Sequence, residues 1–481
     1  MNFDEIRKNV VGCDQSFDTP FGSFDMLYAD WVASGRLYTP IEEAVAKKFG
    51  PWVANTHSYS NKTGSLMTTA YNQAKQIIRE HVNASENDML VLTGSGMTGG
   101  VVRLQQILGL CVQQNTPQLD EEDRPIVFIT HMEHHSHHVS WMETVADVVI
   151  VPPGKDLKID LDLLQTEIDK YADRKLKIGA FTAGSNVTGV ITPIHEMAEV
   201  MHKNGGYCFV DYAATAPYVA MNMHPENDLQ ALDAIYFSPH KFLGGPGACG
   251  VMLFNKKIYT GKSCVPGGGN VTWTNPWGDY GFTSNDEAKE DGGTPGFLQA
   301  IRAALAIRLK DKMGTENIEC REEELVSKAF ERMNQIEGVR IVGEQDSKRI
   351  GVVSFNIDDI HYNAVVRIMN DRFGVQIRGG WACASTYCHY LFELDQSQSK
   401  RLTDGIDSQN LTGKPGWARM SLHPTMTNEQ LDYALDAIEY IAKNKQELKE
   451  EYVYDVKTND FTLQKEAVDD NEQQAAEMFV L

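Results

Sequence analysis

The feature that most constrains this chain is the alternation, from about residue 88 onward, of short apolar runs with helical patterns. DMLVLTGSG, IVFITHMEHH, VADVVIVPP, KIGAFTAGSNVTG and YCFVDYAA read as strands. MTGGVVRLQQILGLC, LDLLQTEIDKYAD and IHEMAEVMHKNG, which lie among them, carry apolar residues at helical spacing. Repeated units of this kind predict an α/β fold with a mainly parallel sheet and helices on both faces. The polar residues fall where the strands end, and open α/β sheets place their ligands there.

The rest of the chain organises around that block. Residues 1–40 lack strong periodicity and predict an arm that packs on the small domain or on a partner subunit. Residues 41–300 read as the large domain, opened by helices at IEEAVAKKFG and TTAYNQAKQIIREHV. The glycine-rich stretch PGGGNVTWTNPWGDYGFTSNDEAKEDGGTPG leads into a long helical run, FLQAIRAALAIRLKDKMG. Residues 301–445, with strands at VRIVG and GVVSFNI and a helix at NAVVRIMNDRFG, read as a smaller α+β domain. Residues 446–481 are charge-rich and predict a helix followed by a loosely ordered acidic extension.

Charge narrows the function classes. A formal net charge of −22 opposes binding to nucleic acid, whose phosphates need a basic surface, and to anionic membranes. No apolar stretch is long enough to span a bilayer, and the polar start MNFDEIRKNV does not read as a secretory signal. The eight cysteines are scattered without a CxxC pair, which predicts neither a zinc ribbon nor a thioredoxin motif, and a reducing cytoplasm is the natural compartment.

Four local patterns carry chemistry. In Ser238-Pro239-His240-Lys241, a lysine closes the apolar strand AIYF ahead of the glycine loop Gly244-Gly245-Pro246-Gly247. A single lysine at a strand end is ordinarily a surface residue. If desolvated, its amine loses protons more easily and can form a Schiff base with an aldehyde. Asp211 ends YCFVDY, where a cap is the ordinary role; in a pyridoxal site it would pair with the ring nitrogen. The turn containing Gly94, Ser95, Gly96, Met97 and Thr98 lies between a strand and a helix, where backbone N–H groups bind phosphate. It matches neither GxGxxG nor the Walker pattern. The histidine run from His131 to His138 invites a metal, but no carboxylate pattern downstream completes such a site, and one ring-stacking imidazole is the favoured reading.

Together these motifs give a resemblance. EHHSHHVSW, SNVTG, the aspartate of VDY, SPHK and GGTP follow one another as in class V aminotransferase-like enzymes of the aspartate aminotransferase-like, PLP-dependent transferase fold. They look most like group II cysteine desulfurases and selenocysteine lyases, over roughly residues 25–440. The resemblance implies pyridoxal 5'-phosphate as cofactor, a seven-stranded type of large-domain sheet, and a homodimer with shared active sites. It assigns Lys241 to the cofactor aldehyde, His134 to stacking on the ring, Asn186 to the ring hydroxyl and Asp211 to the ring nitrogen. Ser95, Gly96, Met97, Thr98, Ser238 and His240 are implied in cofactor binding, and Thr294 in contacting the phosphate of the neighbouring subunit. Arg378-Gly379-Gly380-Trp381-Ala382-Cys383 resembles the element whose cysteine takes the substrate sulfur, which would make Cys383 catalytic with Lys241 and His134. Arg419, in GWARMSLHP, resembles the arginine that clamps the substrate carboxylate, with Arg378 and His57 also near the substrate. Two positions depart from the family pattern: Ala214 stands where a glutamine is usual, and Trp381-Ala382 where many members have two histidines.

The reaction so implied converts L-cysteine to L-alanine, leaves a persulfide on Cys383, and hands the sulfur to an acceptor protein or thiol. Other class V reactions stay open: an aminotransferase, an enzyme resembling isopenicillin N epimerase, or a lyase resembling kynureninase. A non-catalytic binding protein on the same fold is the remaining alternative.

Overall fold

The computed structural model describes residues 2–94, 96–112, 119–464 and 471–480. Its centre is a seven-stranded sheet formed by β1 (Asp88–Thr93), β2 (Ile126–Thr130), β3 (Asp147–Val151), β4 (Lys177–Thr182), β5 (Tyr207–Asp211), β6 (Ala234–Phe237) and β7 (Gly250–Asn255). The strand order is β1-β7-β6-β5-β4-β2-β3. Only β7 runs antiparallel to its neighbours. The strands of the middle are apolar and buried on both faces, as a parallel sheet requires.

Helices close both faces. On one side lie α1 (Lys62–His81), α4 (Leu161–Asp169), α5 (Ile194–Lys203) and α6 (Phe297–Met313), whose buried residues join one core. On the other lie α2 (Gly96–Ile107) and α3 (His135–Met142), packed through Val101, Leu104 and Trp141 onto Ile129, Phe209 and Tyr236. α1 starts where Asn61 accepts a hydrogen bond from the Gly64 N–H at 2.7 Å, satisfying one of the orphan donors of its first turn. The helix expected at IEEAVAKKFG forms as one α turn, Thr39–Glu43, that widens into a π-helix over Ala44–Phe49 and closes in a 3-10 turn, Gly50–Trp52.

A second sheet holds β8 (Val339–Ile341), β9 (Val352–Ile357), β10 (Arg378–Gly380) and β11 (Trp417–Ser421), in the order β8-β9-β11-β10. It packs on α7 (Thr315–Met333), α8 (Tyr362–Phe373) and α9 (Asn428–Glu450) around its own apolar core. The first residues join this unit: Leu27–Tyr28 pairs in parallel with Val375–Gln376, and Leu27 and Ala29 are buried in its core.

The C-terminal stretch departs from expectation. After α9 it forms a hairpin, Tyr452–Asp455 with Asp460–Leu463. Asn459, at φ 60° in its turn, donates through Nδ2 to Tyr362 Oη at 2.7 Å and accepts through its carbonyl from Asn363. The charge of this segment hid a period-2 pattern, in which Tyr452, Tyr454, Phe461 and Leu463 supply the partly buried face. No helix among the described residues is long and apolar enough to cross a membrane.

Candidate active site

The carboxyl ends of β1, β4, β5 and β6 meet at one cavity of about 500 Å³. It is lined by Gly96, Met97, Thr98, His134, Asn186, Asp211, Ser238, His240, Lys241, Arg378, Cys383 and Arg419, together with Ala213, Ala214 and others. Residues far apart in sequence therefore converge because their strands point the same way. Ser95 lies outside the described residues.

One end of the cavity is built for an anion. Gly96 opens the twelve-residue α2 with φ 58°, a conformation glycine adopts without strain. A Cβ there would sit 2.7 Å from Ser238 Oγ, so a side chain at this position would have to push that hydroxyl aside. The Met97 N–H donates to Ser238 Oγ at 2.8 Å, and the Thr98 hydroxyl has only a weak contact to Met97 Sδ at 3.6 Å. The backbone N–H groups of this first turn, the Thr98 hydroxyl and the positive end of a helix dipole suit a phosphate.

The floor is Asp211, buried at the end of β5. The Ala213 N–H donates to its Oδ1 at 2.7 Å. Lys241 follows β6 by one 3-10 turn, Pro239–Lys241. Burial pushes its amine down to about 8, against the pull of Asp211 and with help from Arg419 and Arg378. Its Nζ forms no hydrogen bond or ion pair with a described residue, so it stands free in the cavity.

His134 caps α3. Its Nδ1 accepts from the Ser136 N–H at 3.1 Å, which leaves the proton of the neutral ring on Nε2. Burial, and then the Lys241 charge, push it down to about 3, so the ring is neutral at pH 7. The other imidazoles of the run diverge: His131 meets the Leu157 carbonyl, His135 meets Ser385, His137 meets Glu133 and Tyr236, and His138 meets Thr386.

The opposite wall carries the charge. Arg378 and Arg419 are direct partners across β10 and β11, so their side chains share one face and repel. Asp30, from the N-terminal arm, sits between them: Arg419 Nη2 donates to Oδ1 at 2.8 Å and Arg378 Nε to Oδ2 at 3.0 Å. Arg419 is buried, also donates from Nη1 to the Asn186 carbonyl at 3.0 Å, and has a buried Nε without a partner. Two guanidinium groups against one carboxylate leave a net positive corner suited to a substrate carboxylate. Asp30 escaped sequence analysis because nothing near it in the chain signals its partners; only the fold brings it 389 positions back to Arg419. Asp30→Asn is expected to lower stability by about 2–4 kcal/mol, because it leaves a buried guanidinium short of its counter-ion. Urea unfolding of the apoprotein measures this.

Cys383 is exposed at the cavity edge, in a loop where both Ala382 (φ 50°) and Cys383 (φ 57°) are left-handed. Such backbone costs about 1–3 kcal/mol per non-glycine residue and persists only where neighbours enforce it. Here Asn186 Nδ2 donates to the Ala382 carbonyl at 2.6 Å, and the His135 N–H donates to the Cys383 carbonyl at 2.7 Å. The Ser385 N–H donates to His135 Nε2 at 2.9 Å.

His57 and Thr294 do not reach this cavity. They lie together at another surface. The Thr294 hydroxyl donates to Asn55 Oδ1 at 3.3 Å, and His57 approaches Gly269 in the glycine-rich stretch.

Residues 27–434 match the family described as aminotransferase class-V. A protein named "Probable cysteine desulfurase" from Halalkalibacterium halodurans is 31% identical over 408 residues, spanning 81% of this chain and 91% of its own. Another of that name, from Staphylococcus epidermidis, is 29% identical over 76% of this chain and 85% of its own. Among solved structures, an apo cysteine desulfurase from Thermococcus onnurineus NA1 superposes with a TM-score of 0.73 at 23% identity, covering 92% of this chain and 98% of the other. The cysteine desulfurase CsdA of Escherichia coli, in an S-sulfonic acid form, gives 0.70 at 20%, covering 92% and 99%. At those identities the two structures speak to the fold, which they share.

Proposed function

Because this chain belongs to the aminotransferase class-V family, we propose that it is a cysteine desulfurase that takes sulfur from L-cysteine, releases L-alanine and carries the sulfur on Cys383. It is a pyridoxal-phosphate enzyme, as its family is. The residues present fit that cofactor: a phosphate cradle at Gly96–Thr98, a buried carboxylate at Asp211, and a free amine at Lys241. The observation that carries the reaction is the placement of Cys383 on the same cavity as Lys241 and the arginine pair.

When bound, the cofactor supplies an electron sink for the carbon next to the substrate carboxylate. The protein's own residues do the rest. Arg419 and Arg378 orient the carboxylate, and Lys241 Nζ, freed as substrate binds, takes the α-proton. His134 Nε2 is a neutral donor at the cavity wall. The Cys383 thiolate attacks the substrate sulfur; the new S–S bond forms as the C–S bond breaks. The electron pair stays with the carbon, which takes a proton and becomes the methyl group of alanine. A thiol or an acceptor protein then removes the sulfur from the persulfide.

In this reading Thr294 and His57, absent from the cavity of their own chain, serve that of a second copy, in a homodimer in the cytoplasm. It also divides the chain into an arm (1–40), a large domain (41–300), a small domain (301–445) and an acidic extension (446–481). The test is anaerobic incubation of the purified, yellow protein with L-cysteine and a reductant, assaying alanine and sulfide together. Equal amounts of both support the reading. Exchange of the α-proton without either product would sink it and favour another amino acid substrate, at the positions where Ala214 and Trp381-Ala382 depart from the family.

A pH dependence follows from Lys241. Only the neutral amine attacks an aldehyde, and its pKa lies at about 8. Uptake of the cofactor by the apoprotein is therefore expected to rise about tenfold per pH unit below 8 and to level off above it, as followed by absorbance after mixing.

A further inference from the structure

Directly beneath the cavity floor lies a set of side chains that the sulfur chemistry leaves unused. Glu133 is buried, and its Oε1 accepts from the Thr130 N–H at 3.2 Å, the Thr130 hydroxyl at 2.7 Å and the Thr182 N–H at 2.9 Å. Its Oε2 accepts from His137 Nδ1 at 2.6 Å. His137 is fully buried, and its Nε2 meets the Tyr236 hydroxyl. A carboxylate with four donors is a satisfied anion, and an imidazole flanked by a carboxylate and a hydroxyl can donate from both nitrogens.

The sheet register places this set beside Asp211. Thr182, Asp211 and Tyr236 are successive partners across β4, β5 and β6, so their side chains line one face. His137, on α3, packs against that face through Tyr236, with their rings 5.3 Å apart. Both His137 and Asp211 are buried, so the charge of one acts on the other with little screening.

We propose that His137 is a positioning residue: as an imidazolium fixed between Glu133 and Tyr236, it holds neighbouring Asp211 in the ionised form that a protonated cofactor ring needs. The proposal rests on the pyridoxal-phosphate reading above. Burial pushes the Asp211 carboxyl up; the strongest influence against this is the His137 charge, followed by the Ala213 N–H, with Lys241 helping and Glu133 opposing. Burial alone would drive His137 down, but the Glu133 charge and hydrogen bond, with the Asp211 charge, outweigh it and raise its pKa. The other titratable groups nearby are neutral at pH 7. His134 and His138 are pushed down by burial, whereas Tyr236 and Cys208 are pushed up by it. Two buried carboxylates thus share one buried cation, and without it burial would push the Asp211 carboxyl further up.

Glu133→Gln and His137→Gln test this. The first keeps an acceptor for Thr130 and Thr182 but makes His137 neutral; the second removes the imidazole. Aspartate carboxyls labelled with ¹³C are titrated in the full-length apoprotein, with Asp211 identified by its loss in Asp211→Asn. The midpoint of Asp211 is expected to rise by about one pH unit or more in both variants. In the yellow holoenzymes, the pH midpoint of the visible absorbance is expected to move in the same direction as in Asp211→Asn. An Asp211 midpoint unchanged in folded Glu133→Gln overturns the proposal, and so does a loss of thermal stability with no change in titration, which would reduce the set to packing. Failure to bind the cofactor would sink the reading it rests on, and the carboxyl titration would still decide what His137 does.

Discussion

Lys241→Ala is expected to leave a folded protein that forms no alanine or sulfide above background, a loss of at least about 10⁴-fold. The amine is at once the anchor for the aldehyde and the base for the α-proton, and no other described side chain on the cavity can stand in for both. His134 is pushed down to about 3 and His240 to about 4, chiefly by burial and then by the Lys241 charge. The backbone turn around position 241 is held by its own N–H, which donates to the Ser238 carbonyl at 3.0 Å, so truncating the side chain leaves the loop in place. Stability gives a second, independent readout. The folded-state pKa of about 8 lies below the ordinary value of 10.5, so the unfolded chain binds more protons between those values. The native apoprotein is therefore penalised at pH 7 by about 3 kcal/mol relative to pH above 10.5, and the penalty disappears as pH rises through that window. Lys241→Met, which keeps the volume and drops the charge, is expected to be more stable than wild type at pH 7 and to lose that advantage above pH 10. A destabilised variant would mean that the amine has a partner that compensates its burial. A stable variant that still turns over L-cysteine would remove Lys241 from the mechanism.

Much of this site was legible because its residues are punctuation marks in the chain. Asp211, Lys241 and the Gly94–Thr98 turn each end or follow an apolar run, and the alternation of those runs already requires a sheet that gathers its strand ends. What could not be read was contact across sequence distance. Asp30 looks like any acidic residue in an irregular arm until the pairing of Leu27–Tyr28 with Val375–Gln376 carries it to the two arginines. Glu133 and His137 lie inside the histidine run, yet their partner Tyr236 reads only as one more apolar strand residue. The hairpin at residues 452–463 was masked because charged and turn-forming residues dilute a short alternating pattern. The same limit applies to Thr294 and His57, whose role belongs to a reading in which a second copy completes the site.

Cys383→Ala is expected to separate the cofactor from the sulfur chemistry. Cys383 does not belong to the phosphate cradle, the Asp211 floor or the Lys241 anchor, so the variant should keep the yellow colour and the pH profile of the visible absorbance. It should also keep exchange of the α-proton of L-cysteine with solvent, since that step needs Lys241 and the arginine pair but no thiol. Formation of alanine should fall by about 10²–10⁴-fold, the scale of a lost nucleophile with the remaining groups intact. The backbone gives this prediction its precision. Because position 383 is left-handed and its carbonyl is held by the His135 N–H at 2.7 Å, alanine occupies the same place at nearly the same conformational cost as cysteine. Any change then reports the sulfur atom and not a collapsed loop. Cys383→Gly, which relieves the left-handed strain, provides the control: it should match the alanine variant in activity while being more stable by a fraction of the cost of that conformation. Anaerobic assays with alanine, sulfide and α-proton exchange measured on one sample decide the matter. Loss of alanine with retained exchange places Cys383 at the sulfur-transfer step, whereas full alanine formation in the variant would show that another thiol, such as the added reductant, takes the substrate sulfur directly and that Cys383 is not its carrier.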